Sequence, residues 1–156
     1  LNRNDDLVRT PTPASATRQQ FRLLKSYLKG RHDGGGMSEM SYRDYVNMVG
    51  DSPIQSLIFE YRLGREPDAP LVAAAITDVL RDGLSMVYTF FDPHLSRRSL
   101  GKFMILDHIM QVRELGLPHV YLGYWIKGSD KMDYKRDYTP LEVLDGEVWR
   151  PLLDSE

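Results

Sequence analysis

Three consecutive strand-like stretches between Gln55 and Phe91, then one long helical stretch and a further strand, constrain the fold of this chain more than any other feature. Gln55, Leu57, Phe59, Tyr61 and Leu63 fall on alternate positions, the period of a half-buried strand. Leu71 to Leu80 is nearly all apolar, which predicts a strand covered on both faces. Asp82-Gly83 is a hairpin signal, and Leu84, Met86, Tyr88 and Phe90 then alternate with Ser85, Val87, Thr89 and Phe91. The longest helix is predicted from about Arg98 to Leu115, stopped by Gly116 with Pro118 beyond it. Val120 to Ile126 reads as the next strand. A strand, a helix of this length and a second strand make one parallel crossover unit.

The flanks are less regular. Residues 1–16 are polar and contain prolines, so an arm or linker is expected, although Asp5 to Thr10 could add an edge strand. From Thr17, Phe21, Leu24 and Leu28 recur at helical spacing, and Gly30 stands where a C-terminal cap would fall. Arg31-His32-Asp33-Gly34-Gly35-Gly36 is expected to be a loop, because three glycines carry too much backbone entropy for a helix. Ser41-Tyr42-Arg43-Asp44 resembles a capping box, opening a helix that ends at Gly50. A short helix is expected around Ser129–Arg136, and two short strands flank Asp145-Gly146. Residues 17–156 are expected to form one domain, a length that suits a sizeable core. The order is similar to the fold of the GCN5-related N-acetyltransferases: α+β, a mixed sheet flanked by helices, with the first strand in question.

Composition excludes several chemistries. There is no cysteine, hence no disulfide, thiolate metal site or cysteine nucleophile. The four histidines, His32, His94, His108 and His119, show no metal-ligand spacing, and no metal or other cofactor is expected. With a net charge of -2, any polyanion site must be a local patch. No apolar run approaches the ~20 residues that span a bilayer, and no signal peptide is visible, so a cytoplasmic protein with no membrane partner is expected. The chain opens on Leu1, which suggests part of a longer protein.

Two local patches carry chemistry. In Tyr121-Leu122-Gly123-Tyr124-Trp125-Ile126-Lys127-Gly128-Ser129-Asp130-Lys131-Met132-Asp133-Tyr134-Lys135, ammonium groups and aromatic rings follow a strand pattern, where an anionic, base-containing ligand could bind. Upstream, Asp92-Pro93 leads into Ser96-Arg97-Arg98-Ser99-Leu100-Gly101-Lys102. Unpaired N–H groups at the helix start, with Arg97, Arg98 and Lys102, could hold a phosphate. The alternative is a solvated basic turn capped by Ser96 or Ser99. Three basic residues oppose the usual acidic preference of a first helical turn. Arg98 and Gly101 fit the acetyltransferase pattern of a basic residue with glycine three positions on. Phe103 stands where that pattern has a small residue, which points to a different activated acyl donor.

The segments Tyr27 with Arg31-His32-Asp33, Ser52-Pro53, Tyr88 with Phe91-Asp92-Pro93, Ser99-Leu100-Gly101, Tyr121 to Ile126, Lys131 to Lys135, and Tyr138-Thr139-Pro140 with Leu144 are those of a known family. On them the chain resembles the aminoacyl-tRNA–protein transferases over nearly its whole length. Leu106-Asp107-His108-Ile109 and Gly116-Leu117-Pro118 are closest to its bacterial branch, the aspartate/glutamate leucyltransferases. The resemblance implies transfer of leucine, or arginine, from charged tRNA to the α-amine of proteins beginning with Asp or Glu, marking them for degradation. It also implies that a cysteine-containing module precedes this region, leaving the acyltransferase-like part here.

On that reading Asp92 and Tyr88 are the catalytic candidates. Asp92 would hold the acceptor ammonium or pass a proton, unless it only caps the turn before Pro93. Tyr88 and Tyr134 would stack on the terminal adenine or protonate the leaving hydroxyl, with core packing as the alternative. Arg97, Arg98, Ser99, Gly101 and Lys102 would contact the donor. Lys131 and Lys135 would meet tRNA phosphates or the acceptor carboxylate, unless they are merely solvated. Arg31 and His32 would recognise the acidic N-terminal residue, with an ordinary loop histidine as the favoured alternative for His32. His94 is expected to be a bystander, and Met104 and Met110 to lie in the core. Two other readings stay open: an acetyl-CoA-dependent N-acetyltransferase, and a non-catalytic tRNA- or peptide-binding module.

Overall fold

The computed structural model describes residues 2–31 and 39–153. The chain divides into two compact units, Leu1–Tyr121 and Leu122–Glu156. In the first, strands β1 (Leu7–Pro13), β2 (Ser56–Leu63), β3 (Leu71–Leu80), β4 (Gly83–Phe91) and β5 (His119–Tyr121) form one sheet in that spatial order. Neighbours from β1 to β4 are antiparallel, and β5 lies parallel to β4 after the crossover helix α3 (Leu100–Glu114). Helices α1 (Arg18–Arg31) and α2 (Tyr42–Gly50) complete the unit. This is an α+β fold with a mixed sheet flanked by helices.

The alternating stretches fold as their period requires. β2, β3 and β4 sit where the sequence places them, and six consecutive residues of β3, Val72 to Thr77, are buried. Of the two expectations for the first sixteen residues, the edge strand forms: Leu7 to Pro13 pair with Leu63 to Leu57. Pro11 and Pro13 are tolerated because an edge strand has a side that needs no donor. β5 is shorter than the expected Val120–Ile126. Two residues past its end Gly123 adopts φ 77, which turns the chain out of an extended path.

Helix starts are chemically specified. Thr17 Oγ1 accepts from the Gln20 N–H and Gln20 Oε1 accepts from the Thr17 N–H, both at 3.1 Å. Ser41 and Asp44 form the same reciprocal box at the start of α2. Gly30 is not a cap: it lies inside α1, and a Cβ there would stand 2.9 Å from Cβ of Pro93. α1 therefore ends pressed against the turn that follows β4.

One face of the sheet packs under α1 and α2, where Leu24, Leu28, Tyr45 and Val49 meet Ile58, Ala74, Ile76 and Phe90. Fully burying each of the larger aliphatic or phenyl side chains contributes roughly 1.5–3 kcal/mol. α3 covers the other face, as the parity of its partners requires: Phe103 lies edge-on to Tyr61 and His108 edge-on to Phe59. Met104 is buried there, but Met110 is 44% exposed, because the buried stripe of α3 runs through Leu100, Met104, Ile105, His108, Gln111 and Val112. His108 is fully buried. Its Nδ1 lies 2.7 Å from the Met104 carbonyl and must donate to it, so Nε2 accepts from the Thr77 hydroxyl at 2.9 Å.

The second unit contains a 3₁₀ turn over Asp133–Asp137, in place of the helix expected at Ser129–Arg136, and a hairpin of β6 (Glu142–Asp145) and β7 (Val148–Pro151). Among the described residues, no helix is long and apolar enough to cross a membrane.

Candidate functional site

β4 outruns its parallel partner. β5 pairs only with Gly83 to Ser85, so from Met86 to Phe91 the strand is laddered to β3 alone. Ile76 opposes Tyr88 and Thr77 opposes Met86, leaving Val87 as the extra residue of a bulge, 53% exposed. Beyond the bulge β4 delivers Tyr88, Phe91 and Asp92 to one end of the sheet.

Asp92 turns the chain. Its N–H donates to Val72 O at 2.8 Å, and its Oδ1 accepts from the His94 N–H at 2.9 Å, capping the 3₁₀ turn Pro93–Arg98. Among the described residues Oδ2 has no hydrogen-bond partner. Ser99 then takes φ 51, ψ 49, the left-handed region, and α3 starts at Leu100, slightly later than expected. Ser99 makes no side-chain capping bond, and Lys102 lies exposed in the first turn, which holds no acidic residue. Arg97 and Arg98 belong to the 3₁₀ turn rather than to the helix. A Cβ on Gly101 would stand 3.3 Å from Cε1 of Phe91, so the missing side chain lets this ring lie against the start of α3.

The Phe91 ring also meets Tyr27 of α1 edge-on, with centroids 4.9 Å apart. Half-buried Tyr88 joins this cluster: burial, then the neighbouring Tyr27, pushes its hydroxyl above the usual phenol range, while Arg31 opposes them. The exposed Arg31 guanidinium lies 5.6 Å from the Tyr27 ring centroid. The structure thus brings Tyr88, Asp92 and Arg31 to the same end of the sheet. His32, the second acceptor candidate, lies outside the described residues. Tyr27 stands in one of the segments that carry the family resemblance, but was not among the candidate site residues.

On the outer side of the loop an open cleft of about 460 Å³ is lined by Arg3, Arg97 and Arg98. Arg98 makes a two-pronged ion pair with Asp6, at 2.7 and 2.8 Å. This holds the Asp6 carboxyl below the usual carboxylate range. Arg3 donates to Arg97 O at 2.6 Å. Neither Arg3 nor Asp6 was a candidate from the sequence; no local pattern links them to residues more than ninety positions away.

Lys131, Tyr134 and Lys135 lie in the second unit. Lys131 is exposed, and Tyr134 is half-buried. Lys135 Nζ donates to the carbonyls of Leu122 and Tyr124, at 2.8 and 2.5 Å, and burial lowers its pKa. Its ammonium therefore ties together its own unit. The buried Tyr138 hydroxyl has no partner among the described residues and is pushed up to about 12, by burial first and then by Tyr134 and Asp137. Among the described residues no group of three His, Asp or Glu could hold a metal ion.

A mixed sheet flanked by helices, with a cationic strand-to-helix loop beside Tyr27, Tyr88 and Phe91, defines an α+β domain. Residues 19–145 match the family model described as arginine-tRNA-protein transferase, C terminus, and the chain belongs to that family. It is 74% identical, over 156 residues, to a protein of Hyphomonas neptunium named aspartate/glutamate leucyltransferase, covering 100% of this chain and 62% of that protein. Proteins of the same name from Phenylobacterium zucineum and Parvibaculum lavamentivorans are 53% and 55% identical, each over 96% of this chain and 59% and 61% of their own length. The chain thus spans about six-tenths of these relatives.

Proposed function

We propose that this chain is the acyl-transfer portion, of GCN5-related N-acetyltransferase-like fold, of a cytoplasmic aminoacyl-tRNA–protein transferase. It moves leucine from leucyl-tRNA to the α-amine of proteins beginning with Asp or Glu, and so marks them for degradation. The observation that carries this reading is the 74% identity over all 156 residues to a protein named for that transfer. Arginyl-tRNA is the second donor to test, because the family model is described by arginine transfer.

The chemistry asks little acid–base work. The aminoacyl ester is already activated, and an α-amine with a pKa of about 7.7–8.0 is partly neutral at pH 7. The amine nitrogen attacks the ester carbonyl, the C–N bond forms, the C–O bond to the ribose breaks, and one proton passes from nitrogen to the leaving oxygen. Placement and oxyanion stabilisation supply the rate. Burial keeps the Tyr88 hydroxyl protonated, which suits it to donate a hydrogen bond to the developing oxyanion or the leaving oxygen. Asp92 spends Oδ1 on the donor turn and keeps Oδ2 for the acceptor ammonium. Arg97, Arg98, Ser99, Gly101 and Lys102 take the donor end. Arg31, with His32, takes the acidic side chain of the acceptor. Lys131 and Tyr134 contact the tRNA, and Lys135 shapes their segment.

The test incubates the chain, and in parallel the whole Hyphomonas neptunium relative, with leucyl-tRNA or arginyl-tRNA and a peptide beginning with Asp. The peptide is then weighed. A gain of one leucine residue supports the proposal. A gain of arginine corrects the donor, and no gain with either protein sinks the reading.

A further inference from the structure

We infer that the N-terminal turn is part of the donor site: Arg3 and Arg97 bind the RNA phosphodiester backbone, and Asp6 sits on Arg98 as an exchangeable stand-in for a phosphate. The inference rests on the proposed tRNA donor and extends it to residues far from the helix start.

Residues 3, 4 and 6 all reach the same two positions. Arg3 donates to Arg97 O at 2.6 Å, Asn4 Nδ2 donates to Arg98 O at 3.0 Å, and Asp6 grips the Arg98 guanidinium at 2.7 and 2.8 Å. Asn4 is only 5% exposed, so the turn Asn2–Asn4 is anchored and not a loose tail. The anchoring brings the Arg3 guanidinium to Arg97 and Arg98, and together they line the 460 Å³ cleft. Among the described residues neither Arg3 nor Arg97 has a carboxylate partner. Three cations against one carboxylate make a positive patch on a chain whose net charge is -2. A polyanion relieves that imbalance.

Asp6 is suited to yield. Its side chain is 54% exposed, so the two-pronged pair with Arg98 is open to solvent on the carboxylate side and screened by salt. A guanidinium fork takes two oxygens of a phosphate as readily as two of a carboxylate. Asp6 holds the Arg98 guanidinium by the same two donors that a phosphate would take. On binding, the phosphate and Asp6 compete for the same donors.

The two halves predict shifts of opposite sign. Binding of fluorescently labelled tRNA to the full chain is measured by anisotropy at two salt concentrations, about 50 and 200 mM. Arg3→Ala and Arg97→Ala are each expected to weaken binding about 3- to 10-fold at the lower salt and to flatten the salt dependence by about one unit of log–log slope. Arg3→Lys keeps the charge and should restore most of the affinity. Asp6→Asn is expected to tighten binding about 2- to 5-fold, and this gain should vanish in the Asp6→Asn, Arg98→Ala double variant. Circular dichroism confirms that each variant is folded. Unchanged affinity in Arg3→Ala, or equal or weaker binding in Asp6→Asn, overturns the inference while leaving the transfer reaction standing. Failure of the unaltered chain to bind tRNA removes the donor reading itself, and the inference with it.

Discussion

In Leu1–Tyr121 a core joins the sheet to its helices, whereas the described residues of Leu122–Glu156 have almost none. Among the described residues every fully buried apolar side chain, from Leu23 to Val112, belongs to the first unit, and no residue from 122 to 153 is fully buried. The second unit instead shows Tyr124 at 89%, Ile126 at 60% and Val148 at 67% exposure. What orders it is polar: Lys135 on two backbone carbonyls, Arg136 over the Trp125 ring, and a two-stranded ladder. A two-stranded hairpin alone is at best marginally stable. The contrast teaches that the same chain uses burial to fix the end of β4 that carries Tyr88 and Asp92, and charge–dipole contacts to shape residues 122–153.

Matched truncations break the comparison most directly. Phe90 is fully buried between α2 and the sheet, and Phe90→Ala should cost about 3–5 kcal/mol, enough to unfold a marginal protein. Leu144, at 54% exposure in β6, should change stability by no more than about 0.5 kcal/mol when cut to alanine. Urea unfolding followed by tryptophan fluorescence and circular dichroism checks both. Comparable losses at the two sites would mean that the second unit has a core after all.

Acid sharpens the contrast next, because the second unit contains no histidine. Burial is the main reason that His108 has a lowered pKa; the Met104 carbonyl and Asp107 oppose it, and Arg9 adds to it. A lowered folded-state pKa means that the unfolded chain binds the proton more readily. His108 therefore favours folding fully above about pH 6.5, its unfolded value. That contribution is lost as pH falls from there towards the folded pKa, by at most about 1.4 kcal/mol per pH unit. Unfolding free energies at pH 7.5 and 5.5 should differ accordingly in the native chain, and by much less in His108→Gln. An identical acid loss in both would remove His108 from the account.

Lys135 tests the polar side. Lys135→Met keeps the stem and leaves the Leu122 and Tyr124 carbonyls without their charged donor, at a cost of about 1–2 kcal/mol. Because the sheet unit has its own core, the loss should appear as faster amide exchange in the second unit, with protection in β2 to β4 retained. A uniform loss of protection in both units would show that they open together.

What could be read from the sequence divides along the same line. β2 and β4 follow from alternation, β3 from a continuous apolar run, and the Ser41–Asp44 box from a four-residue pattern, because each is a local signal. β1 stayed undecided, since Pro11 and Pro13 suit both a linker and an edge strand, and only pairing with β2 settles which. Gly30 resembled a cap, but its meaning lies in its approach to Pro93, sixty-three positions on. The basic loop before α3 was visible, whereas its attachment to Arg3, Asn4 and Asp6 was not, being made by contacts over ninety residues apart. Lys135 shows the reverse: its type suggested a ligand contact, and only the fold reveals that its ammonium is already engaged.

Ser99 gives the smallest effect and separates stability from function most cleanly. It holds a left-handed conformation, φ 51 and ψ 49, that a non-glycine residue adopts at a cost of about 1–2 kcal/mol. In Ser99→Gly most of that strain is released, but the unfolded chain gains freedom worth about 0.4–1 kcal/mol, so the net stabilisation should be only about 0.5 kcal/mol. The Ser99 hydroxyl is not spent on capping α3. If it contacts the donor, as we propose, Ser99→Gly should bind aminoacyl-tRNA several-fold more weakly while melting slightly later. Ser99→Ala then provides the control: it keeps the strain, loses the hydroxyl, and should match the glycine variant in affinity without its gain in stability. Full affinity in both variants would show that the left-handed turn only reverses the chain between Arg98 and Leu100.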